Sequence, residues 1–395
     1  MIRRLDALAR VVALCCRREA WRPVETAPVV LVFPVGADVL RDAHPEVDFV
    51  VLDPRETAVH APTALACLAR GRASVGAYLD AMLRRMRPRV VVTFVDNFEP
   101  FLLLKARHPD VTFVTVQNGV RGLSGDLLGA LDADPAAHGR DRHVDHAFVF
   151  GAAIGDRFAT QVRARYHSVG SFKSNAVPVS PTGEDLMGFV STRRTEVRPG
   201  QRVAIHDHDS EVRQEAVYAA YDAVAAWAYR CAKARGLRLL VIGKDEDPEA
   251  DRRHYARLFR AEDFEYSARA RWDSSYRALD RCRVALFTSS SLGYEALARG
   301  VRVGALLTWT AVTGSSSDRF GWPLDLAQDG PFWTHHHDEL RFTEIFGWLL
   351  GASDEEWRSA ARPIVDRLIA TDPGNTRFLG TLREASRDPA DAHPR

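Results

Sequence analysis

Short runs of apolar residues alternate with longer amphipathic segments along most of the chain. Unbroken apolar runs are typical of strands buried on both faces of a parallel sheet, and a three-to-four-residue spacing indicates helices. One stretch shows the whole unit. An apolar run at 284–287 is followed by a polar turn at 288–293, a short helix at 294–299 that ends at Gly300, and a second apolar run at 301–307. This order predicts a crossover unit of a parallel sheet.

The pattern predicts two α/β halves of similar size. Ligands of open parallel sheets bind beyond the carboxyl ends of the strands, so two facing halves would enclose a cleft. We therefore predict an α/β fold with two Rossmann-like domains facing each other across a cleft. The predicted segments are a basic amphipathic helix at 1–28, an N-terminal domain at 29–175, a C-terminal domain at 176–380 and a disordered tail at 381–395.

The predicted elements set positions for the candidate residues. The predicted strands are 29–34, 49–52, 90–94, 111–116 and 146–150 in the first half, and 202–205, 237–242, 264–267, 284–287 and 301–307 in the second. The predicted helices are 61–87, 100–107, 211–235, 252–260, 274–281, 340–350 and 355–370.

Composition excludes several classes of protein. The chain has 395 residues and a formal net charge of +1, which leaves no overall basic footprint for nucleic acid. Its five cysteines form no disulfide pattern, which favours a reducing, cytoplasmic location. Arginines alternate with apolar residues at the start of the chain, which predicts a basic amphipathic helix. This helix is either packed on the domain surface or in contact with anionic lipid on the inner face of the cell membrane.

The serine-rich turn is the strongest candidate site. Hydroxyls and free N–H groups at a helix N-terminus favour anions, and we expect Ser289, Ser290, Ser291 and the Gly293 backbone to hold a phosphate. Plain helix capping is the alternative. With Ser291 as the N-cap, Glu295 has no capping duty and is free to bind ribose hydroxyls.

Other candidates in the second half follow predicted strand ends. Lys244 would add charge to the nucleotide site or lie in solvent. His206 and His208 flank an aspartate, and we predict a ligand-binding loop there. No further ligand stands at zinc-type spacing, so no metal is predicted. The run His335 to His337 is predicted to be a surface loop.

The first half offers acceptor-side candidates. Asp96 follows a buried strand and is the predicted general base, with helix capping as the alternative. The predicted positioning residues are Asn97, Gln117, Asn118, Gly119, Arg121 and Lys173, since amides, a glycine turn and cations suit a polar substrate. A simple glycine turn and a solvated lysine are the alternatives. The chain lacks a Walker A loop, a G-x-G-x-x-G loop and a G-x-S-x-G elbow.

Several short motifs resemble one bacterial family in the same order along most of the chain. They are residues 93–97 (Thr-Phe-Val-Asp-Asn), 117–122 (Gln-Asn-Gly-Val-Arg-Gly), 170–175 (Gly-Ser-Phe-Lys-Ser-Asn), 290–296 (Ser-Ser-Leu-Gly-Tyr-Glu-Ala) and 330–334 (Gly-Pro-Phe-Trp-Thr), with Trp21 and Pro23 ahead of them. Together they resemble the surface-carbohydrate and O-antigen biosynthesis proteins, with a GT-B glycosyltransferase-like fold.

That resemblance implies a glycosyltransferase of O-antigen or capsule biosynthesis. Its co-substrate would be a nucleotide sugar, with CMP or another cytidine nucleotide as one option, no other cofactor, and a glycan or lipid-linked acceptor. Cytidine-nucleotide transferases often have Gln-His-Gly where this chain has Gln117-Asn118-Gly119. Many retaining enzymes pair two glutamates, and Phe287 stands at the earlier position here. Alternatives are a nucleotide-sugar epimerase, a phosphoalcohol transferase and a non-catalytic two-lobed sugar-binding protein.

Overall fold

A computed structural model of the chain describes residues 15–54, 59–120, 127–133, 139–193, 200–205, 210–244, 246–315 and 319–387. Its first half is built on a six-stranded sheet in the order β2-β1-β3-β4-β5-β6, with every neighbouring pair parallel. The strands are β1 (Val29–Val32), β2 (Phe49–Leu52), β3 (Val90–Thr93), β4 (Thr112–Val116), β5 (His143–Val149) and β6 (Arg163–Ser168).

Helices cover both faces of this sheet, because strands such as β1 and β3 are apolar on both sides. Val30 and Val32 lie in one apolar core, whereas Val29 and Leu31 lie in another on the opposite face. The helices are α1 (Ala37–Ala43), α2 (Ala61–Ala69), α3 (Val75–Met86), α4 (Glu99–Leu102), α5 (Leu127–Ala133), α6 (Ala152–Ala159) and α7 (Phe172–Asn175).

The second half contains a seven-stranded sheet in the order β11-β10-β7-β12-β13-β15-β14, parallel except for the β14–β15 pair. One large apolar core surrounds it. Its strands are β7 (Glu184–Val190), β10 (Arg238–Ile242), β11 (Glu265–Ser267), β12 (Cys282–Phe287), β13 (Arg302–Leu306), β14 (Asp329–Gly330) and β15 (Trp333–Thr334). Its helices are α8 (Gln214–Ala234), α9 (Pro248–Phe259), α10 (Ser274–Asp280), α11 (Ser291–Ala298), α12 (Thr308–Thr313), α13 (Glu339–Gly351) and α14 (Asp354–Leu368).

The predicted α/β fold with two facing parallel sheets is confirmed, but the start of the second sheet was predicted wrongly. The first strand of the second sheet along the chain is β7. The predicted strand at 202–205 is β8 (Arg202–Ile205), which pairs antiparallel with β9 (Ser210–Arg213) in a separate two-stranded ribbon outside the sheet. β7 escaped prediction because Glu184, Asp185 and Gly188 lower its strand propensity, although β12 and β10 flank it.

The predicted N-terminal helix over 1–28 is wrong for residues 18–28. Arg18–Trp21 form a single 3-10 turn, and the chain from residue 22 to 28 is not helical. Pro23 and Pro28 are incompatible with a continuing helix. Cys15 and Ala20 are buried against the first sheet's core, so this part packs on the domain. Residues 1–14 lie outside the described residues.

The predicted disordered tail is also wrong up to residue 386. α15 (Thr376–Ser386) is helical, and Phe378, Leu379 and Leu382 lie on one face of it. All three are buried in the core of the first sheet, together with Val29 and Leu31. The apolar spacing was sufficient for a helix, and burial on the distant first half stabilises it. Residues 388–395 lie outside the described residues.

Arg299 joins the two halves at the linker between α7 and β7. Its guanidinium is nearly fully buried and forms a double hydrogen bond with Asp280 at 2.8 and 2.7 Å. It also donates to the backbone carbonyls of Ser174 at 3.3 Å, Val177 at 3.0 Å and Pro178 at 3.3 Å. One side chain therefore fixes the linker against α11.

Within the described ranges, no helix is both long and apolar enough to cross a lipid bilayer.

Candidate active site

A cavity of about 650 Å³ lies between the carboxyl ends of the two sheets. Both halves supply its walls, as expected for facing sheets of this kind. Of the predicted site residues, the structure brings together Asn118, Gly119 and Lys173 of the first half with Lys244, Ser289, Ser290, Ser291 and Glu295 of the second. We call this cavity the cleft.

The serine-rich turn leads directly from β12 into α11. The N-cap is Ser290, whose hydroxyl accepts from the Leu292 N–H at 3.3 Å, so the helix begins at Ser291 and not at Tyr294. The Gly293 N–H, which was predicted to contact a phosphate, donates to the Ser290 carbonyl at 3.1 Å. A Cβ at residue 293 would lie 2.2 Å from the Phe287 ring, which explains the glycine.

Ser291 connects the two halves across the cleft. Its hydroxyl oxygen accepts from the Val120 N–H at 2.8 Å. A Cβ at Gly119 would lie 3.0 Å from this same oxygen, so the close approach of the two halves favours glycine there. Ser291 therefore contributes to closure of the cleft as well as to its lining.

Glu295 is a buried carboxylate held by both halves. It accepts from the Ser171 hydroxyl at 2.5 Å and from the Tyr276 hydroxyl at 3.1 Å. Burial raises the pKa of Glu295, and the two hydroxyl donors, Lys173 and Arg299 oppose that rise. Both carboxylate oxygens already accept protein hydrogen bonds, so Glu295 positions the two halves besides lining the cleft.

Lys173 is the cation that the first half presents to the cleft. It lies in α7, whose N-cap Ser171 also contacts Glu295. Burial lowers the pKa of Lys173 from its ordinary value, while the nearby carboxylates Asp38 and Glu295 act in the opposite direction. Lys173 is half-buried and lines the cleft, so its side chain lies between the two halves.

The second half presents three more cations to the cleft. Lys244 and Arg269 are exposed and Arg319 is half-buried. The Arg319 Nε is buried and has no hydrogen-bond partner within the described part of the chain. Arg269 and Trp272 were missed, although they follow β11 and the strand-end rule would have found them.

Arg319 was missed because folding brings it to the cleft from a distant loop. The Phe320 N–H next to it donates to His335 Nε2 at 2.8 Å, and Gly321 N–H donates to the Tyr294 hydroxyl at 3.0 Å. The prediction of a surface loop at His335 is wrong: the residue is buried, and burial lowers the pKa of its imidazole. The neutral ring can accept from Phe320 while Nδ1 donates to the Gln328 carbonyl.

Of the other candidates, Gln117, Asp96 and Asn97 do not line the cleft. Gln117 is buried, with its amide fixed to the Phe150 N–H at 2.8 Å and the Gly119 carbonyl at 2.9 Å, so it shapes the turn that carries Asn118. Asp96 and Asn97 follow β3 in the chain. Asp96 is buried and Asn97 is half-buried, and neither lines the cleft. Arg121, His206 and His208 lie outside the described residues.

No cluster of three or more His, Cys, Asp or Glu side chains in the described ranges could hold a metal ion. The cleft's chemistry in these ranges is instead cationic, with four basic side chains against the single carboxylate Glu295.

The fold is similar to those of several solved structures. The wall teichoic acid polymerase TagF, in crystals soaked with CDPG, is 8% identical and gives a TM-score of 0.52, with 99% of each chain covered. A Staphylococcus aureus MnaA–UDP structure is 11% identical with a TM-score of 0.51, covering 90% of this chain and 96% of that one.

A UDP-GlcNAc 2-epimerase from Neisseria meningitidis, bound to UDP-GlcNAc, is 10% identical and covers 90% of this chain and 99% of that one. Its TM-score is 0.47. The first two similarities establish the two-domain GT-B-like fold and nothing about the reaction. None of the curated proteins compared with the sequence matches it.

Residues 114–386, more than two thirds of the chain, match a protein family described as "putative O-antigen biosynthesis protein". The match spans the Gln117 turn, Lys173, the serine-rich turn and Arg319. The chain therefore belongs to this O-antigen biosynthesis protein family.

Proposed function

We propose that the protein is a glycosyltransferase that takes a sugar from a nucleotide-sugar donor to a glycan or lipid-linked acceptor of a bacterial surface polysaccharide. The observation that carries this proposal is the charge of the cleft. Lys173, Lys244, Arg269 and Arg319 converge there on the N-terminus of α11. Fixed cations and a helix N-terminus stabilise a diphosphate leaving group without a metal.

The unpartnered Arg319 Nε supports an anionic ligand. A buried donor without a partner is rare in native proteins, and a phosphate oxygen would satisfy it. Two proteins of the same fold were solved with UDP and with CDPG, which makes pyrimidine nucleotides the first ligands to test. Ser289 and Ser290 would donate hydrogen bonds from their hydroxyls to the phosphates. Glu295 would accept from the ribose hydroxyls with the lone pairs that Ser171 and Tyr276 leave free.

We expect UDP, CDP or GDP, and the matching nucleotide sugar, to raise the melting temperature of the protein. A ligand at about 100 times its Kd stabilises a protein by about 2.7 kcal/mol. The measurement is a thermal-shift panel of CMP, CDP, UDP, GDP and their sugars, with free monosaccharides as controls. Stabilisation by free sugars and by no nucleotide would overturn the transferase proposal and favour a sugar-binding protein.

The general base has two candidates. Asp96 was predicted from its strand end, but it is buried and does not line the cleft. Asp38 follows β1, is exposed, and acts electrostatically on Lys173, which does line the cleft. A base must reach the acceptor hydroxyl, and a domain movement can bring it there.

We expect Asp38→Asn to lower turnover by about a hundredfold or more while nucleotide affinity is kept. The assay is release of the nucleoside diphosphate from the stabilising donor, with a membrane lipid extract as acceptor. Asp96→Asn is the paired variant. A large loss in Asp96→Asn together with unchanged turnover in Asp38→Asn would return the role to Asp96.

The same assay separates the alternative reactions on this fold. An epimerase would convert the donor sugar with no acceptor present, and a phosphoalcohol transferase would release a nucleoside monophosphate.

Flotation on anionic vesicles, with and without residues 1–14, tests whether the basic start of the chain brings the protein to a membrane surface. Equal flotation of both forms would exclude that role.

A further inference from the structure

A second, smaller cavity opens beside the cleft in the second half of the protein. Its volume is about 210 Å³. It shares Lys244 and Ser289 with the cleft, so the two cavities meet at the turn before α11. Its other walls come from the end of β7, the first turns of α8 and the start of α12. They are Thr192, Gln214, Val217, Tyr218, Tyr221 and Trp309. We call this cavity the side pocket.

Two residues of the side pocket carry buried polar atoms that lack partners. Gln214 Oε1 and Trp309 Nε1 are both buried, and neither makes a hydrogen bond within the residues that the structure describes. Native proteins rarely leave buried polar groups unpaired, because desolvation without a partner is unfavourable. One atom is an acceptor and the other a donor. A ligand that satisfies both must itself donate and accept.

The walls of the side pocket limit the chemistry of that ligand. Among the described residues that line the side pocket, only Lys244, at the junction with the cleft, carries a charge. Aromatic rings of Tyr218, Tyr221 and Trp309 form much of the wall, and such rings suit a ligand with one apolar face and a polar edge. The volume is below the range of about 300–1,000 Å³ typical of drug-sized ligands, so it fits one ring.

The position of the side pocket indicates what the ring is attached to. Ser289 and Lys244 stand where the proposed function places the donor's phosphates. A group in the side pocket would therefore be joined to a phosphate and not to the nucleobase. A nucleotide sugar has two neutral hydroxylated rings on its phosphates, the ribose and the glycosyl group. The proposed function assigns the ribose to Glu295, which does not line the side pocket, so the glycosyl group is the ring left for it.

We propose that the side pocket holds the neutral glycosyl ring of the nucleotide-sugar donor. Gln214 Oε1 accepts from one sugar hydroxyl and Trp309 Nε1 donates to another. This inference rests on the proposed function and deepens it, because it assigns the transferred sugar to residues that neither the sequence motifs nor the cleft includes.

The test compares affinities for nucleoside diphosphates and nucleotide sugars in two conservative variants. Isothermal titration is run with UDP, CDP and GDP and with UDP-glucose, UDP-N-acetylglucosamine, CDP-glucose and GDP-mannose. We expect Trp309→Phe and Gln214→Leu each to weaken binding of the preferred nucleotide sugar by about tenfold, the effect of one lost hydrogen bond. Affinity for the diphosphate alone should stay within about twofold, because the cleft keeps its cations.

Trp227→Phe is the matched control. Trp227 lies on the same helix as Gln214 but packs against His337 and Phe342, away from the side pocket. Equal loss for diphosphate and sugar nucleotide in Trp309→Phe and Gln214→Leu, or loss for neither, would overturn the side-pocket assignment alone. Absence of any nucleotide binding in the wild type would overturn the proposed function first and this inference with it.

Discussion

Replacement of Arg299 by alanine is expected to lower the free energy of unfolding by about 3–5 kcal/mol, the range found when one partner of a buried ion pair is removed. The guanidinium is 2% exposed and Asp280 is 6% exposed, so the remaining carboxylate would stay buried without its cation. The carbonyls of Ser174 and Val177 would lose their donor as well. Both effects act on the linker between the halves.

Urea denaturation followed by tryptophan fluorescence measures this change. Arg362→Ala is the matched control, since Arg362 is 80% exposed and pairs with an exposed Asp366. Exposed pairs of this kind contribute between about 0 and 1 kcal/mol. Replacing both Arg299 and Asp280 by leucine should restore part of the loss, because the buried charge is then gone while the carbonyls of Ser174 and Val177 still lack their donor. A change below about 1 kcal/mol in Arg299→Ala would contradict the assigned role.

The repeated apolar runs were sufficient to predict the fold class because strands buried on both faces have a distinct sequence pattern. They were insufficient for β7, whose polar start and central glycine hide a strand that β10 and β12 enclose. They were equally insufficient for α15, which is ordered by burial on a sheet more than 200 residues earlier in the chain. Long-range packing decides both cases.

The candidate site shows the same division between local and distant information. Ser290 and Lys244 line the cleft, and the sequence predicts this position because a turn after a buried strand lies at the ligand-binding edge of a parallel sheet. The contacts of Glu295 with Ser171 and Tyr276 come from three separate segments, which no local pattern links. Arg319 reaches the cleft through a loop held by Tyr294 and His335, which were assigned no such role.

Lys173 controls the second large effect, which concerns anion affinity. We expect Lys173→Met to weaken binding of the tightest-binding nucleoside diphosphate by about 30-fold or more. In the proposed complex Lys173 pairs with a phosphate, and removing one partner of a charge pair that is buried on binding costs about 2–5 kcal/mol. Lys233→Met is the control, since Lys233 is 53% exposed and pairs with Asp263 at the surface. Melting temperatures without nucleotide show whether the variant is folded. Unchanged affinity in a folded Lys173→Met would remove this residue from the phosphate site.

The pH dependence gives a test that a merely structural lysine would fail. Burial lowers the pKa of Lys173 below its ordinary value of 10.5, with Arg269 acting in the same direction and Asp38 and Glu295 against it. A bound phosphate favours the charged ammonium and raises this pKa again. Proton uptake on binding therefore occurs only between the two pKa values, and affinity falls as pH rises through that window. Below both values Lys173 is charged in either state and contributes no pH dependence.

Titration calorimetry in buffers of different ionisation enthalpy measures this proton uptake directly. The wild type should take up protons on the alkaline side and lose affinity there. Lys173→Arg should retain affinity without that alkaline loss, because a guanidinium stays charged up to a pH of about 12. Since Glu295 has a raised pKa, its protonation at acid pH removes a negative charge from the cleft and acts oppositely to a loss of Lys173. An alkaline limb that persists unchanged in Lys173→Arg would show that another cleft group carries it.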